Sequence, residues 1–236
     1  MLFVIFCAAR AMLAAMLERL EDNLWRAEAS VPRVPLQRTM TVAKLSSGGL
    51  VVHSAIALPD YPELDALGPV KFIVVPNGWH RLDAKAYVER YPDAKVLGPP
   101  GSKKKIEKIV PLTGELSDLV DRDVSLTTVA GMKEVEVLMT VKSGDRTSLV
   151  FTDAIFNMPH KSGFQGFVLK HVMKSSGGPR VSRIGRLFMV KDKAAFATQL
   201  EELAARGVTR VVVSHHEVIS VDAAGALRDV AASLRA

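Results

Sequence analysis

The stretch from Lys193 to Val213 constrains the fold more than any other part of the chain. Between Lys193 and Arg206 the apolar positions 196, 200, 203 and 204 share one helical face, and Gly207 supplies a stop. Val208-Thr209-Arg210-Val211-Val212-Val213 follows at once and, rich in β-branched residues, reads as a buried strand. A helix leading through a glycine into a buried strand is the unit of α/β proteins. It recurs where Pro62 to Leu67 predicts a short helix, Gly68-Pro69 ends it, and Val70 to Val75 forms the next buried strand.

Between and around these units the chain predicts further strands. Met40 to Leu45 and Leu50 to Ser54 flank a Ser46-Ser47-Gly48-Gly49 turn and read as a hairpin. His53, inside its second strand, is expected to be structural. Val124 to Val129, Val135 to Val141 and Ser148 to Phe151 alternate polar and apolar residues, as strands covered on one side do. A helix is expected from Asp83, as its cap, to about Tyr91, another over about Phe164 to Met173, and a last one from Asp222 to Leu234. Ser175 to Pro179 reads as a flexible connection, and Leu20 to Ala27 as a short strand or an apolar anchor. The pattern is neither a plain nucleotide-binding unit nor an all-β sandwich.

At 236 residues with 48% apolar and 24% charged residues, one large domain suffices. We divide the chain into an N-terminal helical or peripheral segment, residues 1–30, and a single domain, residues 31–236. Residues 1–9 are strongly apolar, but Arg10 follows rather than precedes them, the wrong order for a secretory signal, and the run is about half the length that spans a bilayer. A cytoplasmic location is therefore expected, with the N-terminus in peripheral contact with a membrane. The single cysteine, Cys7, excludes an internal disulfide and any cysteine-rich zinc cluster.

The net charge of +6 is unevenly spread. From Ala154 through Lys191 there are seven basic residues and no Asp or Glu, which favours an anionic ligand, such as a small anionic molecule, or an anionic surface. The fingerprints of a nucleic-acid module are absent. Gly98-Pro99-Pro100-Gly101-Ser102-Lys103 lacks the Walker spacing, so it is not read as a phosphate loop.

Three polar residues stand where apolar runs end: His80 after Val70 to Val75, Asp153 after Ser148 to Phe151, and His215 in Ser214-His215-His216 after the late strand. Strand ends are where α/β scaffolds hold chemical groups. Imidazole and carboxylate are suitable zinc ligands, so His80, Asp153 and His215 are the metal candidates. His216 points the other way if the backbone is extended; it and Asp83 are candidates for orienting a ligand or moving a proton. Neither a Gly-x-Ser-x-Gly elbow nor a plausible thiol supports a serine or cysteine mechanism.

The runs Phe72-Ile73-Val74-Val75-Pro76-Asn77-Gly78-Trp79-His80, Val150-Phe151-Thr152-Asp153 and Val211-Val212-Val213-Ser214-His215-His216 resemble the metallo-beta-lactamase-like superfamily over about residues 40–225. The resemblance implies an α/β fold, an αββα sandwich with mixed sheets flanked by helices, and a metal site at the open edge between the sheets. It matches Asp153 to the bridging aspartate and His215 to the late histidine ligand. It also implies His-x-His-x-Asp-His after the early strand, where this chain has Asn77-Gly78-Trp79-His80-Arg81-Leu82-Asp83. The expectation is thus a reduced site with one zinc, iron or manganese ion, or none, and His160 as a substitute for a missing ligand. Two functions follow: a metal-dependent hydrolase of a small, anionic substrate, or a metal-free ligand- or partner-binding protein that keeps the sandwich.

Overall fold

In the computed structural model, residues 16–31, 36–58 and 62–236 are described. The chain begins with a hairpin, β1 (Glu18–Glu21) and β2 (Leu24–Ser30), followed by β3 (Gln37–Lys44), β4 (Leu50–His53), α1 (Pro62–Leu67), β5 (Val70–Val74), α2 (Ala84–Arg90), β6 (Lys95–Leu97) and α3 (Lys103–Ile106). Its second half runs β7 (Val124–Thr128), β8 (Val137–Ser143), β9 (Arg146–Phe151), β10 (Phe156–Met158), α4 (Gly163–Phe167), β11 (Gly178–Arg180), α5 (Arg183–Phe188), α6 (Lys193–Ala205), β12 (Arg210–Val213) and α7 (Ala223–Arg235). A π-helical turn, Val168–Val172, extends α4.

The first six strands form one sheet in sequence order, antiparallel through β4 and parallel from β4 to β6. A four-stranded sheet has the order β12-β9-β8-β7, with β12 parallel to β9 and the remaining pairs antiparallel. Side chains on a strand alternate between its faces, and this alternation builds the layers. Val51 of β4, Val137, Met139 and Val141 of β8, Val150 of β9 and Val212 of β12 share one apolar cluster between the sheets. Their neighbours Leu50 and Val52 turn to the outer face of the first sheet, where Leu64 of α1 and Tyr87 of α2 cover them. Leu138, Leu149, Phe151, Val211 and Val213 turn to the outer face of the second, beneath Phe196 and Leu200 of α6 and Leu227 and Val230 of α7. The order is helix, sheet, sheet, helix, with mixed sheets. Each fully buried Leu or Phe contributes about 1.5–3 kcal/mol relative to exposure, so three such clusters hold the layers together.

The α6 helix stops where the glycine predicts: Gly207 has φ +75°, a left-handed conformation that β-carbon-bearing residues rarely adopt. Three expectations need correction. Residues 18–30 are two strands of the six-stranded sheet rather than a peripheral segment, while residues 1–15 of that segment, with Cys7, lie outside the described residues. Asp83 precedes α2 but makes no capping bond; its Oδ2 accepts the Ala57 N–H at 2.9 Å and pairs with Arg38 at 2.6 Å. Gly178-Pro179, read as the end of a flexible connection, joins Arg180 in a strand that pairs with β10 in a two-stranded sheet, where Pro179 tolerates the lack of a central ladder donor. Among the described residues no helix is long and apolar enough to cross a membrane.

Candidate functional site

The parallel pairing of β9 with β12 aligns Phe151 with Val213. Two residues beyond each, Asp153 and His215 therefore leave the sheet side by side. The first sheet delivers His80: after β5 the chain turns at Pro76, whose carbonyl accepts the Val137 N–H of β8 at 2.9 Å and so ties the two sheets together at this edge. The turn itself is organised by Asn77, fully buried, which uses its whole hydrogen-bonding capacity. Its Oδ1 accepts the N–H groups of Trp79 (2.8 Å) and His80 (3.0 Å), and its Nδ2 donates to Thr152 Oγ1 (3.0 Å) and Asp153 Oδ2 (2.7 Å).

One ligating atom from each of His80, Asp153 and His215 lies within 4.8 Å of the others. His215 Nε2 is 3.0 Å from Asp153 Oδ1, and His80 Nε2 is 3.4 Å from Asp153 Oδ2. The far nitrogen of each ring is also fixed: His80 Nδ1 meets Ser54 Oγ at 2.9 Å, and His215 Nδ1 meets the Gln37 carbonyl at 2.7 Å. Phe156 stacks on the His215 ring at a centroid distance of 4.7 Å. Ser54 itself has φ +58°, so the end of β4 is bent to bring its hydroxyl to His80.

Behind Asp153 sits Glu136, fully buried. Its carboxylate accepts three consecutive backbone N–H groups, from Thr152 (2.7 Å), Asp153 (3.0 Å) and Ala154 (3.1 Å), and so fixes the loop that carries Asp153. Burial, then the Asp153 charge, pushes Glu136 up to about 7, against the backbone donors. Burial would also raise Asp153, but His80 and His215 outweigh it and hold that carboxyl well below the usual carboxylate range. For His215 burial acts downward, yet the Asp153 bond and charge leave its pKa raised.

A cavity of about 810 Å³ opens over His80, Asp153 and His215. Its wall is mainly apolar, with Leu36, Phe156, Val168, Leu169, Met173 and Met189 among its residues. None of the basic residues between 161 and 191 lines it; Lys161, Lys170, Lys174, Arg183 and Lys191 are exposed instead.

The other candidates are not brought to this cluster. His216, at φ +78°, turns into a separate surface hollow beside Glu18, Arg26 and Arg210, and burial, with the Lys161 and His215 charges, lowers it to about 4. The rings of His215 and His216 do part, but through this left-handed turn rather than through the alternation of an extended strand. Asp83 is occupied by Arg38 and the Ala57 N–H outside the cluster. His160 turns to Ser176 Oγ at 3.2 Å and cannot stand in for a missing ligand. His53 is fully buried on β4 and outside the cluster. Asn77, Glu136 and Ser54 were missed as site residues: Asn77 reads as an ordinary turn former, and Glu136 as one more polar position between valines.

Comparison with solved structures settles the architecture. A DIM-1 metallo-beta-lactamase aligns over 94% of this chain and 98% of its own, with a TM-score of 0.63 at 11% identity. The fold is that of the metallo-beta-lactamases. A metallo-beta-lactamase from Erythrobacter litoralis matches with a TM-score of 0.63 and 12% identity, covering 92% of this chain and 96% of its own. One from Pontibacter korlensis matches with a TM-score of 0.57 and 11% identity, covering 92% and 99%. No protein-family model and no curated protein matches the sequence. Within this metallo-beta-lactamase fold, the turn after β5 carries Asn77 and Trp79 around a lone imidazole, His80.

Proposed function

We propose that the protein is a metal-dependent hydrolase that holds one ion between His80, Asp153 and His215. One observation carries this reading. A carbonyl only accepts, so His215 Nδ1, at 2.7 Å from Gln37 O, bears a proton. In a neutral ring Nε2 is then a bare lone pair, and it faces Asp153 Oδ1 at 3.0 Å. Two lone pairs at that distance repel unless a cation lies between them. His215 Nε2 and His80 Nε2 meet the two oxygens of the one carboxylate at 3.0 and 3.4 Å, and one ligating atom from each of the three residues lies within 4.8 Å of the others, close enough together to share an ion. The donor set, two imidazoles and a carboxylate, suits zinc, iron or manganese.

Such an ion supplies Lewis acidity, which makes water a nucleophile near neutral pH and polarises a carbonyl or phosphoryl group. The chain supplies the rest. Ser54 and Gln37 orient the two imidazoles from behind, and Asn77 and Glu136 hold Asp153 through its side chain and its backbone. The apolar wall excludes bulk water from whatever the cavity binds, which strengthens the charges on its floor.

A second reading rests on the proton as the cation. With His215 as imidazolium, Asp153 is satisfied by His215, His80 and the Asn77 amide without a metal, and the protein is a binding module that keeps the sandwich. Chelation separates the two. Hydrolysis of chromogenic esters, amides or phosphoesters that stops with chelator, returns with one added metal and is lost in His215→Ala supports the enzyme. Turnover indifferent to chelator would sink the metal reading.

A further inference from the structure

Large apolar side chains concentrate in the helices around the cavity mouth. Phe164 and Phe167 of α4 lie one turn apart, 82% and 56% exposed. Ile184, Leu187 and Phe188 of α5 repeat at i, i+3 and i+4, 43%, 65% and 65% exposed. Phe164 and Ile184 also line the cavity, so the outer apolar faces are continuous with its interior. Monomeric proteins rarely expose such patches without a partner. The segment that carries these helices has charge of one sign: residues 154–191 contain no Asp or Glu, and Lys161, Lys170, Lys174, Arg183 and Lys191 are exposed along it. A second copy would bring like charge against like. A surface that is apolar within and anionic at its boundary complements both features.

We propose that α4, its π-helical extension and α5 form a docking face for an anionic lipid surface, and that the cavity receives from it the apolar chain of an amphiphilic substrate. Inside the cavity, among the described residues, Arg38 is the one Lys or Arg in the wall, and Asp83 neutralises it at 2.6 Å. The wall thus offers little to an anion and much to a hydrocarbon chain, while His80, Asp153 and His215 await the polar end. The substrate half rests on the hydrolase reading; the docking half does not.

The test uses the full chain, stripped of metal, in sedimentation with phosphatidylcholine vesicles with and without phosphatidylglycerol. Binding is expected with phosphatidylglycerol and is expected to weaken roughly tenfold or more both in Phe164→Ser/Phe188→Ser and in Lys170→Glu/Lys174→Glu. These exposed sites should leave thermal unfolding unchanged. In a second arm, the neutral fluorophore N-phenyl-1-naphthylamine is expected to bind saturably, one per chain, and about tenfold more weakly in Ile184→Asp, which places a charge in the apolar wall. Equal binding to both vesicle types, or full binding by both double variants, overturns the docking face. No saturable fluorophore binding, or binding indifferent to Ile184→Asp, overturns the apolar-chain substrate. A chain that passes both arms yet takes up no metal would lose the hydrolase reading and, with it, the bound chain's role as a substrate, while the docking face and the apolar-chain cavity would stand.

Discussion

On the proposed reading, a metal ion and the His215 proton would compete for one position at the His215–Asp153 contact. His215 has a raised pKa in the metal-free protein, so metal uptake must displace its proton once the pH lies below that pKa. Apparent affinity should then fall by about tenfold per pH unit as the medium is acidified, measured by competition with a chelator of known affinity; affinity independent of pH would contradict the shared position. Ser54→Ala frees His80 Nδ1 and should weaken metal binding by about 10–100-fold, the usual cost of losing a group that orients a ligand. His53 supplies a separate pH dependence. Burial, with the His80 charge adding to it, lowers its pKa from 6.5 to about 3; the Val137 backbone opposes this, but neither ring nitrogen makes a hydrogen bond of normal geometry. The folded state therefore resists protonation that the unfolded state accepts. Its contribution is fully present above pH 6.5 and is lost as the pH falls toward 3, reaching about 2 kcal/mol by pH 5. His53→Phe should flatten that decline in urea-unfolding stability between pH 6.5 and 5.

The strand-to-loop junctions do most to place the site, and Glu136 is the brace they share. Glu136→Ala leaves three buried N–H groups without an acceptor and should cost about 3–5 kcal/mol in denaturant unfolding; a loss under 1 kcal/mol would mean the loop over 152–154 is held by something else. Which junctions could be read from sequence follows from the same physics. Val211-Val212-Val213 and Leu149-Val150-Phe151 are apolar on both faces because a sheet and a helix layer cover them, and this exposed His215 and Asp153 as polar ends. Strand β1 was hidden because Glu18-Arg19-Leu20-Glu21 is a charged edge with little burial, whereas Leu24-Trp25 of β2 left an apolar mark. Glu136 was hidden because its acceptors are used by backbone N–H groups of a distant segment, which leave no mark in side-chain identity. His216 and Asp83 were plausible by position alone; a left-handed turn and an Arg38 ion pair, both products of tertiary packing, direct them elsewhere.

At the scale of the whole molecule, the site lies where the two sheets meet, so its occupancy should be felt by both. His80 from the first sheet and Asp153 and His215 from the second would hold an ion only in the folded chain, and at a free concentration 100 times its dissociation constant such an ion should stabilise that chain by about 2.7 kcal/mol. The α/β sandwich that the family resemblance implied is the fold observed, and its layers are built by strands that bury alternate side chains on opposite faces. Of the basic run, Lys161, Lys170, Lys174, Arg183 and Lys191 are exposed and none lines the cavity, whereas Phe164, Ile184 and Met189 do. The central claim is that His80, Asp153 and His215 together hold one metal ion. Elemental analysis of tag-free protein, as purified and after equilibration with zinc, iron or manganese, tests it most directly. The account predicts about one ion per chain, lost in Asp153→Ala and His215→Ala; folded protein that takes up no stoichiometric metal from any of the three would contradict it.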